Sequence, residues 1–430
     1  MTLTAWGRLR THEASISEPA SLGDLVAQVS SGQRFLGLGL ARSYGDVGTN
    51  GDGLSISSGN LNKMVSFDSE SGLLTCEAGV TLRDIQQTFC NRGFMLPVTP
   101  GTSFVTVGGA IANDVHGKNH HFAGTFGEHV VELQLVRSDG SITTCSPSQN
   151  EGLFRATIGG LGLTGFIARA TIRLARVAGG WVETETIAYG DLGEFFSLAD
   201  ESEAEWQSTV SWFDCSTRKA GRGSFLRGNP SASVEPLAAA TSALAVPIVP
   251  PISLINKLSL DAFNVGYYHL KKATSGKARM NYREFYYPLD SIQHWNRIYG
   301  PKGFYQYQSV VPRRDGAEVT KEMLRIISQS GAGSFLGVLK TFGDKQPAGL
   351  LSFARAGVTL ALDFPNRGEA TEKLFAKLDA IVSEAGGCLN PSKDARMSRQ
   401  MFEQGFTRLS EFGQYRDPNI ASDFSRRVID

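Results

Sequence analysis

Three glycine-rich loops, a run of histidines and two lysines hold the residue types that could do chemistry here. The first loop, GLGLARSYGDVGTNGDG (37–53), follows a short apolar run. A Rossmann turn needs G-x-G-x-x-G opening a helix. Gly37 and Gly39 fit, but Arg42 takes the third glycine's place and SYGDVGTNGDG cannot begin an apolar helix. The spacing therefore excludes a nicotinamide dinucleotide. Successive backbone N–H groups can still form an anion-binding nest, to which Arg42 and Ser43 would add a charge and a hydroxyl. A glycine hairpin without a ligand explains the same residues equally well.

A second loop, TPGTSFVTVGGAIANDVHGKNHHFAGTFGEHV (99–130), and a third, IGGLGLTGF (158–166), change that balance. Three such loops beside predicted strands describe an extended ligand laid along backbone, which suits a pyrophosphate-linked dinucleotide better than a single phosphate. Four of the seven histidines (His116, His120, His121 and His129) fall in the second loop. His116 and His120 have the i, i+4 spacing of a helical metal pair, yet a glycine-rich loop is a poor helix and no carboxylate or cysteine completes a shell. No metal is expected. Lys393, in PSKDAR beside Asp394 and Arg396, reads from spacing alone as a surface lysine. Lys340 ends the apolar run FLGVLK, where a charge needs a partner.

The elements that must position these residues are legible in outline. The 430 residues hold 42 basic and 42 acidic side chains, so no charge excess points to nucleic acid. Five scattered cysteines without a CxxC pair suit a reducing compartment. The 48 glycines exceed the average share of about 7% and concentrate in the first 170 residues. Strands are predicted at RFLGLGL, GLLTCEAGV, VVELQLVRSDGSITTC and GFIARATIRLARV, with a helix at TLRDIQQTFCNRG capped by Thr81 and ended by Gly93. Past Ala178 glycine thins. Further strands are predicted at YREFYYPL, GFYQYQSVVP and GVTLALDFP, and helices at DLGEFFSLADESEAEW, KEMLRIISQSG and ATEKLFAKLDAIVSEAGG. Strands and helices without a strict βαβ rhythm predict an α+β fold. The N-terminus lacks the pattern of a signal peptide, so the cytoplasm is expected. The longest apolar stretch, Pro236–Ile255, is broken by Pro247, Pro250 and Pro251 and is not a spanning helix.

The paired loops resemble the FAD-binding domain of vanillyl-alcohol-oxidase-type (PCMH-type) flavoproteins, and within that superfamily the branch that oxidises a polyprenyl-phospho-ribose. GLGLARSYGD, the loop from Pro100 to Val130, YPLDSIQHWNRIYGPKGFYQYQSVVP, SKDAR and the terminal ASDFSRR carry the likeness over nearly the whole chain. The resemblance implies an FAD domain (1–178), a substrate domain on an antiparallel sheet (179–387) and a C-terminal segment (388–430) returning to the FAD domain. It implies that FAD contacts Gly37, Leu38, Gly39, Leu40, Ala41, Arg42, Ser43, Tyr44, Gly45, Asp46 and Val47 in the first loop. Gly101, Thr106, Val107, Gly108, Gly109, Asn113, Asp114, Val115 and His116 follow in the second, and Gly165 and Ile167 toward the adenine end.

Tyr44 stands where many relatives place a flavin-linking histidine, which implies a non-covalent FAD. Lys393, His116 and Tyr44 are the implied catalytic residues, and Lys118, Tyr286, Gln306, Gln308, Lys340 and Lys393 the implied substrate contacts. The implied reaction oxidises the ribose 2-hydroxyl of a polyprenyl-phospho-β-D-ribofuranose to the keto sugar. A separate NADH-dependent short-chain reductase would then complete epimerisation to the arabinose donor. A sugar-alcohol or aldonolactone oxidase of the same superfamily is the alternative. Ala361 stands where the mycobacterial members have a cysteine and Thr359 where they have an asparagine. Pro236–Ile255 fits either a flap beside a pocket for the polyprenyl chain, with peripheral contact at the inner face of the membrane, or an ordinary loop over the core.

Overall fold

The computed structural model describes residues 2–51, 53–215, 221–238 and 244–430. A small parallel sheet orders Ser15–Ser17, Leu54–Ser57 and Phe35–Leu38, and the last of these strands feeds the first glycine loop. A five-stranded antiparallel sheet follows, in the order Ile142–Cys145, Val130–Val136, Phe166–Arg173, Leu73–Glu77 and Met64–Asp68. Helix Leu82–Phe89 packs on it through Leu82, Ile85 and Phe89. Thr81 and Asp84 form its capping box, and Gly93 (φ +82°) ends the turn that follows.

The third sheet is antiparallel and eight-stranded. Its order is Gly276–Asn281, Trp181–Tyr189, Gly223–Pro230, Ser208–Phe213, Val338–Phe342, Gly357–Pro365, Phe304–Val311 and Cys388–Leu389. Period-two alternation divides its faces. Along Gly357–Pro365, Val358, Leu360, Leu362 and Phe364 join the core beneath helices Gly316–Ser330 and Glu369–Glu384. Those helices present Met323, Leu324 and Ile327, and Leu374, Phe375 and Leu378, the 3.6-period stripe their sequences carry. The other sheet face keeps Thr359 and Ala361 for the site.

Two readings of the sequence need correction. YREFYYPL is not a strand: Tyr282–Tyr286 is a helical turn capped by Asn281, and Pro288 opens a 3-10 turn to Ser291. Tyr282 and Phe285 are buried at i, i+3, so the aromatic run satisfies a helical spacing and the cap decides. Cys388 and Leu389, read as the start of the returning segment, instead form an edge strand beside Phe304–Val311.

From Asn390 onward the chain turns to the first loop. Tyr44 N donates to Ser392 O (2.9 Å), Phe35 N to Asn419 O (3.0 Å) and Ala421 N to Phe35 O (3.2 Å). Arg427 pairs with Asp46 (2.8 Å) and Asp394 (3.2 Å). Met397, Phe402, Phe412 and Phe424 share one buried cluster with Phe35 and Val47 on one side and Leu360 and Phe375 on the other. The last forty residues thus join the parallel sheet to the large one.

Candidate active site

Between the glycine loops and the open face of the eight-stranded sheet lies a cavity of about 730 Å³, within the usual range for small-molecule sites. All three loops reach it, and Lys118, Tyr286, Gln306, Gln308, Lys340 and Lys393 line it as well. Three residues expected at the cofactor are not on its wall. Gly45 is pressed against the C-terminal segment, where a Cβ would lie 1.5 Å from Asp394 O. Asp46 is engaged by Arg427. Val107 is fully buried in the core beneath the loop.

The cradle is built by close backbone approach. A Cβ on Gly39 would meet Thr106 Oγ1 at 2.6 Å, and that oxygen accepts from Gly109 N (3.1 Å) to cap Val107–Ala112. Ala41, Asp114, Leu161 and His294 have φ between +41° and +58° and all line the cavity. Non-glycine residues there store strain that clusters at functional sites. Asp114 is held by accepting from Gly127 N (2.8 Å) and Ser352 Oγ (2.5 Å), and burial pushes its carboxyl up to about 6. Asp290 clasps the second loop by accepting from Ser103 N (2.8 Å) and Thr102 Oγ1 (2.5 Å). Arg42 stacks on Trp6 (4.3 Å), and both Arg42 and Asn113 line the cavity.

Opposite the cradle, a single polar chain fixes the protonation pattern. Asn390 Oδ1 accepts from Ser392 N (3.0 Å) and Oγ (2.9 Å), so its Nδ2 donates to Gln308 Oε1 (2.9 Å). Gln308 Nε2 must then donate, to His116 Nε2 (3.1 Å) and Thr359 Oγ1 (3.3 Å). A neutral imidazole that accepts at Nε2 carries its proton on Nδ1. That proton faces Lys340 Nζ (3.3 Å), which donates in turn to Gly117 O (3.0 Å). Burial and the neighbouring Lys340 hold His116 well below the usual histidine range. Lys340 is itself pushed down to about 7 by burial and by Lys393, so its free amine is available to accept from Nδ1–H.

Two further lysines complete the wall. Lys118 donates to the carbonyls of Phe285 and Tyr286, and burial with Lys340 nearby lowers it to about 7. Lys393 lies over the Tyr44 ring (4.2 Å to its centroid) and is lowered to about 8 by burial, against the pull of Asp363. Asp363 accepts from Gln306 Nε2 (2.7 Å), and burial raises it to about 7. Burial also holds the Tyr44 phenol well above its ordinary range, and the ring packs on Phe304 (5.6 Å) and Trp295 (6.5 Å). The Tyr44 ring thus packs against Lys393, Phe304 and Trp295 with its phenol protonated at neutral pH.

The histidine run divides. His116 is in the cavity, whereas His120 packs on Phe342, His121 faces Trp206 O (2.7 Å) and His129 faces Ala123 O (2.9 Å). Among the described residues no group of three or more histidines, cysteines or acids stands together as a metal site. Asn390 and Asp363 were not singled out by sequence. For Asp363 the signal was present: one carboxylate in the apolar run GVTLALDFP needs a partner for the reason Lys340 does. Thr359 and Ala361 both face the cavity.

Comparison with known proteins gives these features a lineage. A family model described as an FAD binding domain matches residues 13–146, which span the first two loops. Decaprenylphosphoryl-beta-D-ribose oxidase of Mycolicibacterium smegmatis is 37% identical over 99% of this chain and 97% of its own length. L-gulonolactone oxidase of Mus musculus is 31% identical over 36% of this chain and 36% of its own. A putative D-arabinono-1,4-lactone oxidase of Neurospora crassa is 28% identical over 40% and 30%. The cavity lined by all three glycine loops, the close backbone approach at Gly39 and the Arg42 guanidinium on its wall fit FAD. On the full-length likeness and the FAD-binding domain around these loops, the chain belongs to the decaprenylphosphoryl-β-D-ribose oxidase family of FAD-dependent oxidoreductases.

Proposed function

We propose that this protein oxidises the 2-hydroxyl of a polyprenyl-phospho-β-D-ribofuranose to the 2-keto sugar, with a non-covalent FAD. The observation that carries the reading is the charge of the cavity wall. Lys118, Lys340 and Lys393 converge on one volume, while the two buried carboxyls beside it, Asp114 and Asp363, are both raised by burial. Three amines face an anionic ligand, and their lowered pKa values leave part of the population as free base at neutral pH. FAD, when bound, supplies the hydride acceptor. Lys393, lying over the Tyr44 ring and within the field of Asp363, takes the hydroxyl proton. Lys118 and Lys340 hold the phosphate, and the Gln308–His116 pair, its N–H groups committed within the wall, holds Lys340 in position.

The proposed division into an FAD domain (1–178), a substrate domain (179–387) and a returning segment (388–430) follows sheet membership, apart from the edge strand at 388–389. The keto product leaves the 2-centre ready for reduction from the other face, the task assigned to a separate NADH-dependent short-chain reductase. Because the substrate is a lipid, the protein works at the inner face of the membrane. The aldonolactone oxidase reading is weaker, since those relatives match only a third or so of the chain. Incubation with the phospho-ribose lipid and an electron acceptor should give a product two hydrogens lighter, with the loss at C2. A product oxidised elsewhere, or equal turnover of an aldonolactone, overturns the assignment.

A further inference from the structure

Helix Lys257–Ala273 is amphipathic in an unusual sense. It buries Leu260, Asn264 and Tyr268, one stripe at i, i+4 and i+8. The opposite side, where a surface helix carries polar residues, presents Leu258 (81% exposed), Val265 (41%) and Leu270 (58%). Between residues 257 and 277 the charged side chains are Lys257, Lys271, Lys272, Lys277 and one acid, Asp261. The stretch leading into the helix continues the pattern, with Ile248 and Ile252 about as exposed as Leu258. That stretch is fixed rather than loose. Arg297 donates to Val246 O (2.8 Å) and Pro247 O (2.7 Å), and Leu254 N to Ile298 O (2.9 Å).

This apolar, basic face adjoins the cavity. Tyr267 and Trp212 line the cavity with ring centroids 4.7 Å apart, and Tyr267 stacks on the half-exposed Phe263 at 5.4 Å. A continuous path of aromatic surface thus runs from the cavity wall to the outer side of the helix. Among the described residues no helix is long and apolar enough to cross a membrane. An apolar face with a lysine excess is the signature of a helix lying in the plane of a bilayer whose headgroups are anionic.

We propose that the helix Lys257–Ala273 and the preceding stretch 244–254 form a membrane-docking face that seats the cavity mouth on an anionic bilayer. The lipid chain then passes along Phe263, Tyr267 and Trp212 while the phosphate reaches the lysines. The proposal rests on the lipid-substrate reading above. Charge complementarity selects a bilayer over a second copy of the chain, whose own face would oppose lysine to lysine.

The test is sedimentation of the flavin-loaded full-length protein with phosphatidylcholine vesicles, with and without phosphatidylglycerol. The protein should sediment only with the anionic vesicles, and less as salt rises. Leu258→Glu/Val265→Glu/Leu270→Glu should weaken binding by about tenfold or more. The three sites are solvent-facing, so flavin content and turnover of a short-chain, water-soluble phospho-ribose should be retained, while turnover of vesicle-borne lipid falls. Lys257→Ser/Lys272→Ser should lower the salt dependence without touching the apolar face. Vesicle binding by the triple variant equal to the parent's, or none by the parent, overturns the proposal. So does an oligomer in solution that the triple variant converts to a monomer. Binding is read without substrate, so a parent that binds vesicles but leaves the short-chain phospho-ribose untouched supports the docking face and overturns the substrate reading instead.

Discussion

Replacing Gln308 by glutamate keeps the shape of the side chain and inverts the bond that sets the tautomer of His116. In the parent, Gln308 Nε2 donates to His116 Nε2 across 3.1 Å, so the imidazole is neutral with its proton on Nδ1. A carboxylate at 308 still accepts from Asn390 Nδ2 (2.9 Å) but can only accept from His116. At 3.1 Å and an effective dielectric of about 20, the attraction between carboxylate and imidazolium is about 5 kcal/mol. Desolvation of the new carboxylate and water in the cavity offset much of this, leaving a rise in the histidine pKa of about 1–3 units. Since burial and Lys340 hold His116 well below the usual histidine range, the shift brings its titration toward neutral pH. Nitrogen-15 NMR of the histidine side chains should show an unprotonated Nε2 in the parent and a protonated one in the variant. The pH profile of flavin reduction by substrate should move upward with it. An Nε2–H tautomer in the parent, or an unchanged titration in Gln308→Glu, would refute the derivation of the polar chain.

Gly39→Ala sets a methyl 2.6 Å from Thr106 Oγ1, the cap of Val107–Ala112. The purified variant should fold but lose most of its flavin absorbance, and retention of a full complement of FAD would contradict the cradle. Lys393→Ala should keep FAD bound while slowing flavin reduction by about 10²-fold, and reduction at the parental rate in stopped flow would remove this lysine from proton transfer. Asp363→Asn addresses stability. Burial raises the folded-state pKa of Asp363 to about 7, above the roughly 4 of an unfolded carboxylate. Between these values the folded chain holds the extra proton, so the parent loses stability from this group as pH rises from about 4 to about 7. Thermal melts of Asp363→Asn should show a flatter pH dependence across that window, and a slope identical to the parent's would place the ionisation elsewhere.

Much of this design was written locally in the chain. Helix Leu82–Phe89 was readable because Thr81, Asp84 and Gly93 mark its ends and three apolar residues mark its face. The exclusion of a Rossmann turn followed from Arg42, whose guanidinium now stacks on Trp6 at the cavity. What sequence could not supply were relations between distant segments. Gly45 looked like a cofactor glycine because it sits among them, yet its need for a bare Cα comes from Asp394, some 350 residues away. The tautomer of His116 depends on Asn390 and Gln308, which meet only because Asn390 follows the edge strand beside Phe304–Val311. Tyr282–Tyr286 misled because alternating aromatics suit a half-buried strand as well as a short capped helix. The exposed helix Lys257–Ala273 escaped notice for a related reason: apolar on both sides, it lacks a polar stripe to mark its period.

The claim on which the rest depends is that the amine-lined cavity accepts a phosphorylated ribose on a lipid. Anaerobic titration of the yellow protein, followed by loss of oxidised-flavin absorbance, tests it most directly. Polyprenyl-phospho-β-D-ribofuranose should bleach the flavin stoichiometrically, while free ribose and aldonolactones leave it oxidised. Bleaching by a free sugar or a lactone as readily as by the lipid, or no bleaching by the lipid at all, would contradict the account.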